Sequence, residues 1–138
     1  MIYICKINKY YITQYDSLMN KSILLVDDKP EIAKIIILYL SGYDVKYVEN
    51  PVVALEWLKT GYTPDAIISD LMMPEMNGEE FVTALKADEL FSKIPILILT
   101  SVESDTDRKR LFKKGANDFI LKPFNPEELK TRVKVLLK

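Results

Sequence analysis

Histidine is absent from this 138-residue chain, and cysteine occurs once, as Cys5. The first absence removes the commonest general base and the commonest transition-metal ligand, and with them Ser-His-Asp and Cys-His catalysis. Any hard cation bound here must be held by oxygen, which favours Mg²⁺ or Ca²⁺ over zinc. A lone cysteine excludes an internal disulfide and offers no metal-ligand spacing, in keeping with a reducing, cytoplasmic setting. Charge of one sign is lacking too. The formal net charge is −1, so no global field draws the chain to nucleic acid or to an anionic membrane. No apolar run approaches membrane-spanning length. Met1-Ile2-Tyr3-Ile4-Cys5 is too short for a signal-peptide core and has no basic region before it.

What remains is the composition of one soluble globular domain, 49% hydrophobic and 28% charged. Residues 1–18 stand apart. They hold four of the eight tyrosines (Tyr3, Tyr10, Tyr11 and Tyr15) and show no helical period. They fit a disordered or loosely docked extension, a segment ahead of a natural start at Met19, or an extra edge strand. We expect residues 1–20 to form such an extension and residues 21–138 to form the domain.

From Lys21 onward strand-like and helix-like runs alternate, the signature of βαβ units and a parallel sheet. A first strand at 22–27 leads to a helix from Pro30, with Ile32, Ile35, Ile36, Tyr39 and Leu40 on one face and Gly42 as its stop. A short second strand covers 44–49, and Asn50-Pro51 caps a helix burying Ala54, Trp57 and Leu58. Strand three, about 65–70, is nearly all apolar before its final acid, as suits a centre strand covered on both faces. A turn follows, with Pro74 fixing one φ and Asn77-Gly78 suited to positive φ. The next helix carries Phe81 and Leu85 inward. Strand four is expected at 95–99, a helix at 105–114 stopped by Gly115, and strand five at 117–121. A last helix opens on a capping box of Asn125 and Glu128, with Leu129, Val133, Leu136 and Leu137 on one face.

Four strands end on chemistry: Asp27-Asp28, Asp70, Thr100-Ser101 and Lys122-Pro123. In open parallel sheets the ligand crevice lies outside the carboxyl ends of the strands, so these groups share one rim. Taken singly each is commonplace, since Asp-Asp can cap a helix and Lys-Pro can make a turn. Jointly they describe a site. Three clustered carboxylates repel unless one is protonated or a cation neutralises them, and Mg²⁺ suits such an oxygen set. One carboxylate is then left as a nucleophile for phosphoryl transfer, with Lys122 and Thr100 to stabilise and report the product.

From Lys21 to Lys138 the chain resembles the receiver domain of response regulators in two-component signalling, of the chemotaxis-regulator kind. The matching blocks are Leu24-Leu25-Val26-Asp27-Asp28, Asp70-Leu71-Met72-Met73-Pro74-Glu75-Met76-Asn77-Gly78, Leu99-Thr100-Ser101, and Gly115 through Phe124 with its Lys122-Pro123 pair. The resemblance implies a doubly wound, five-stranded flavodoxin-like sheet of order 2-1-3-4-5. It implies that Asp70 takes a phosphoryl group from the phosphohistidine of a sensor histidine kinase or a histidine phosphotransfer protein. Asp28, Asp70 and the backbone carbonyl of Met72 are then expected to ligate Mg²⁺, with Asp27 acting through a coordinated water. Lys122 is expected to bond the phosphoryl group, and the peptide before Pro123 to be cis. Thr100 and Phe119 take the switch positions that reshape the face of the fourth helix, fifth strand and fifth helix for a downstream protein. A phosphorylation-dependent dimer is compatible with that face. Small Ser101 leaves room for the phosphoryl group, and apolar Met72 and Val102 favour a phosphoryl lifetime that is not short.

Two rivals are set against this reading. A phosphatase or phosphotransferase with an aspartate nucleophile usually carries a second acid two residues on, where this chain has Met72. A binding module independent of phosphorylation would keep the constellation without its chemistry. A flavodoxin-type cofactor site is disfavoured because Asp27-Asp28, not a phosphate loop, follows the first strand. The basic run Arg108-Lys109-Arg110 with Lys113 and Lys114 reads as a solvated helix face balanced by Asp105 and Asp107.

Overall fold

The computed structural model describes residues 21–101 and 104–138. The extension expected at 1–20 and the tuning position Val102 lie outside these residues. Strands β1 (Ser22–Val26), β2 (Asp44–Val48), β3 (Ala66–Asp70), β4 (Ile96–Thr100) and β5 (Asp118–Leu121) form one sheet, ordered β2-β1-β3-β4-β5. All four pairings are parallel. Helices α1 (Pro30–Tyr39), α2 (Pro51–Lys59), α3 (Gly78–Lys86), α4 (Asp105–Lys114) and α5 (Pro126–Leu136) make the crossovers. This is the doubly wound, flavodoxin-like arrangement. Among the described residues no helix is long and apolar enough to cross a membrane.

Alternation along the strands builds two cores, one on each side of the sheet. Leu24, Val26, Ile67, Ile96 and Ile98 face α2, α3 and α4, meeting Ala54, Leu58, Phe81, Val82, Leu85 and Leu111. Ile23, Leu25, Ile68, Leu97 and Leu99 face α1 and α5, meeting Ala33, Ile36, Leu40, Leu129 and Val133. Because helices cover both faces, β1, β3 and β4 read as continuous apolar runs rather than alternating ones. The edge strand β2 is half solvated, with Asp44 and Lys46 paired across its open side at 3.7 Å.

Several local expectations need correction. α1 buries Ala33 and Ile36, with Leu40 buried at its C-cap, whereas Ile35 is exposed, as are Ile37 and Leu38. Helical geometry turns one narrow stripe to the sheet, and this helix carries more apolar residues than that stripe can bury. Trp57 is likewise exposed on α2, its ring edge-to-face with Tyr62 at 5.7 Å. Pro95 precedes β4 instead of opening it, and its carbonyl accepts from Ile67 N at 2.9 Å. The positive φ in the turn after β3 falls on Glu75 (φ 68), not on Asn77 or Gly78. Asn77 instead forms a full capping box for α3, its Oδ1 accepting from Glu80 N at 2.8 Å while Glu80 Oε1 accepts from Asn77 N at 3.1 Å. At Asn125 the side chain accepts from Glu128 N at 2.7 Å, one arm of the box expected there.

Candidate functional site

The carboxyl ends of β1, β3, β4 and β5 bring Asp27, Asp28, Asp70, Thr100 and Lys122 to one rim. Backbone pairing sets each in place. Asp27 N donates to Val48 O at 3.2 Å, Leu71 N to Leu99 O at 3.0 Å and Lys122 N to Thr100 O at 2.8 Å. The last of these ties the lysine's backbone to the end of β4 beside buried Thr100. The Lys122–Pro123 peptide is cis.

Asp70 is the last residue of β3 and only 3% exposed. Its Oδ1 lies 3.1 Å from Lys122 Nζ. One carboxylate oxygen from each of Asp27, Asp28 and Asp70 falls within 4.8 Å of the others. Asp27 Oδ2, Asp28 Oδ1 and Asp70 Oδ2 are buried oxygens that accept no hydrogen bond among the described residues. Orphaned buried carboxylate oxygens are costly, and a hard cation is the partner that suits three acids clustered this closely. Burial pushes the Asp27 carboxyl above its ordinary range and the Asp70 charge adds to that, while the Lys29 N–H at 2.8 Å pulls the other way.

The loop after Asp70 folds back on the strand end. Gly78 N donates to Leu71 O at 2.8 Å. A Cβ on Gly78 would stand 2.6 Å from the Asp70 carbonyl oxygen and 2.9 Å from Leu71 Cα. Glycine is required here for close approach, not for an unusual φ. Met73 is buried and Met76 packs on the core, whereas the Met72 side chain is 64% exposed. Ser101 is exposed beside Thr100. Phe119 is buried on β5, with its ring edge-to-face against Phe112 of α4 at 4.5 Å.

A profile for the response regulator receiver domain matches residues 23–134. The chain belongs to the receiver domain family of response regulators. The receiver is 38% identical over 122 residues to the alkaline phosphatase synthesis transcriptional regulatory protein PhoP of Bacillus subtilis, covering 87% of this chain and 50% of that protein. It is 38% identical over 128 residues to hybrid signal transduction histidine kinase D of Dictyostelium discoideum, covering 91% of this chain and 8% of the kinase. The chain thus spans half or less of these relatives' own length. Among solved structures, the Vibrio cholerae chemotaxis protein CheY4 superposes with a TM-score of 0.80 at 34% identity, covering 86% of this chain and 99% of that one. The receiver domain of sensor histidine kinase PA1611 from Pseudomonas aeruginosa, with a magnesium ion coordinated in its active-site cleft, gives 0.77 at 29% identity, covering 86% and 98%.

The receiver's acids are not the cap of α1. That position is Lys29, which makes no side-chain cap bond. Sequence reasoning passed over Lys29, although it directly follows Asp28. Its ammonium lies 3.5 Å from Asp28 Oδ1 and 3.7 Å from Asp70 Oδ2, and the Asp70 charge raises its pKa. Tyr47 was also passed over; its hydroxyl donates to the Asp27 carbonyl at 2.8 Å from the neighbouring strand. The signal for it was its place near the end of the second strand.

The basic face of α4 is more organised than a solvated surface. Arg110 grips Glu79 of α3 through Nε at 2.9 Å and a second nitrogen at 3.1 Å, and also pairs with Asp107 at 2.6 Å. Lys114 reaches Glu79 at 2.9 Å. Arg110 and Lys114 together hold the Glu79 carboxyl below its ordinary range.

Proposed function

We propose that this receiver accepts a phosphoryl group on Asp70 from a partner's phosphohistidine, in a Mg²⁺-dependent step that switches its α4–β5–α5 face. The observation that carries the reading is the division of the Asp70 carboxylate. One oxygen is paired with Lys122 at 3.1 Å, and the other is buried, accepts no hydrogen bond among the described residues and has the Lys29 ammonium 3.7 Å away. An Asp70 oxygen forms the new bond to phosphorus as the P–N bond to the partner's imidazole breaks, and the imidazole leaves with the electron pair and takes up a proton. Lys122 stays with the phosphoryl oxygens and offsets their charge. Asp28, Asp70 and the Met72 backbone carbonyl would hold Mg²⁺, with Asp27 acting through a water. When bound, Mg²⁺ supplies the positive charge that lets an anionic phosphoryl group approach three carboxylates.

Thr100 then turns its hydroxyl to the phosphoryl group, and Phe119, whose ring already packs on Phe112 of α4, turns further inward, biasing the face a downstream protein reads. The domain comprises residues 21–138, with Pro123 in cis holding the turn after Lys122. The donor is a sensor histidine kinase or a histidine phosphotransfer protein, the setting is the cytoplasm, and the switched face serves a protein target or a second copy.

Intact mass after incubation with Mg²⁺ and acetyl phosphate tests this directly. One added phosphoryl group that requires Mg²⁺ and is absent from Asp70→Asn is expected. No adduct on folded, Mg²⁺-loaded protein, under acetyl phosphate and under a histidine kinase alike, would overturn the phosphoacceptor reading in favour of a phosphorylation-independent binding module.

A further inference from the structure

Lys29 enters the acidic cluster from the rim and bridges Asp28 Oδ1 and Asp70 Oδ2 at 3.5 and 3.7 Å. These are two of the three buried oxygens that accept no hydrogen bond among the described residues. The two lysines thus divide the Asp70 carboxylate, Lys122 taking Oδ1 and Lys29 standing over Oδ2. They differ in freedom. Lys122 has its side chain 22% exposed and its backbone tied to Thr100 O at 2.8 Å. Lys29 has its side chain 53% exposed, while its own N–H is held by Asp27 Oδ1 at 2.8 Å and Pro30 follows it. Its tether is fixed at the base and free at the head. An ion pair made by a half-exposed, flexible ammonium at these distances is weak enough to be exchanged.

From this geometry we infer that Lys29 is the built-in counter-cation of the metal-free site. Its ammonium shields the Asp28–Asp70 side of the cluster until a divalent cation claims the same oxygens, and it then swings into solvent. Lys29 is therefore a positioning residue that sets the affinity of the site for Mg²⁺ and takes no part in bond making. The inference rests on the Mg²⁺ site proposed above. Giving up a half-exposed ion pair of this kind weakens cation binding by up to about fivefold.

The test is calorimetric titration of the full chain with Mg²⁺ alone. Lys29→Met is expected to tighten binding by about threefold to fivefold, and Lys29→Arg, which keeps the charge, to stay within about 1.5-fold of wild type. In wild type, the NMR signal of the Lys29 ε-methylene is expected to move with the midpoint of Mg²⁺ binding, while that of Lys46 stays still. An unchanged Kd in Lys29→Met, or a Lys29 signal indifferent to Mg²⁺, overturns the inference and leaves the metal site standing. Wild type that takes up no Mg²⁺ overturns the metal site itself and the inference with it.

Discussion

At the scale of single residues, the site depends on one that carries no chemistry. Gly78 lies so close to the end of β3 that a Cβ would meet backbone, the Asp70 carbonyl oxygen at 2.6 Å and Leu71 Cα at 2.9 Å. Backbone at a strand end cannot give way as a flexible side chain can. Gly78→Ala is therefore expected to destabilise the fold by about 1–3 kcal/mol, read as a lower urea midpoint, and to slow phosphorylation of Asp70 by displacing the loop. An unchanged midpoint would refute the close-approach account. Residue types alone disclosed the glycine but not its reason, because a turn glycine is first read as a positive-φ position and that conformation is taken by Glu75. The acids were legible because each ends an apolar run. Lys29 was not, because only folding back across the strand ends lets its ammonium reach Asp70 as well as its neighbour Asp28.

Between elements, a polar link of three ionic contacts joins α3 to α4. Glu79 accepts from Arg110 at 2.9 and 3.1 Å and pairs with Lys114 at 2.9 Å. A carboxyl whose folded pKa is depressed contributes stability that is fully present above its unfolded value and is lost as pH falls through the folded one. Glu79→Gln is expected to lower the urea midpoint at neutral pH. The difference from wild type should persist down to about the ordinary value of 4.5 and vanish below it. A difference independent of pH would mean that packing, not charge, joins the two helices. Element positions were legible where the chain supplies punctuation: Asn50 and Asn125 accept from Val53 N and Glu128 N as expected of caps, and Gly115 ends α4 with φ 120. The outward face of α1 was not, since Ile35 falls on the apolar face by period yet lies beyond the stripe the sheet can cover. Ion pairs between α3 and α4 are tertiary and leave no periodic trace in either helix. Strand order came from the resemblance, because strand spacing by itself does not fix which strands are neighbours.

For the whole molecule, the site is a liability until it is neutralised. Three carboxylates converge within 4.8 Å against two ammonium groups, one of them half-exposed. Asp27 is the most enclosed of the three, fully buried, with one oxygen taking the Lys29 N–H and the other accepting no hydrogen bond among the described residues. Asn at that position keeps a carbonyl oxygen for the Lys29 N–H and removes the buried charge. Without metal, Asp27→Asn is therefore expected to melt at or above wild type, since burial and the Asp70 charge both oppose ionised Asp27. With Mg²⁺ the order should reverse. A ligand that binds only the folded state adds about 2.7 kcal/mol at roughly 100 times its Kd, and a site short of one carboxylate has a higher Kd and gains less at the same concentration. Melting curves of both proteins in EDTA and in millimolar Mg²⁺ read the two effects together. A variant that gains as much from Mg²⁺ as wild type would remove Asp27 from the metal site. One that loses stability in EDTA would show that Asp27 is held by partners stronger than the repulsion it faces. The crossing of the two curves is the signature of acids kept together for a cation and not for the fold.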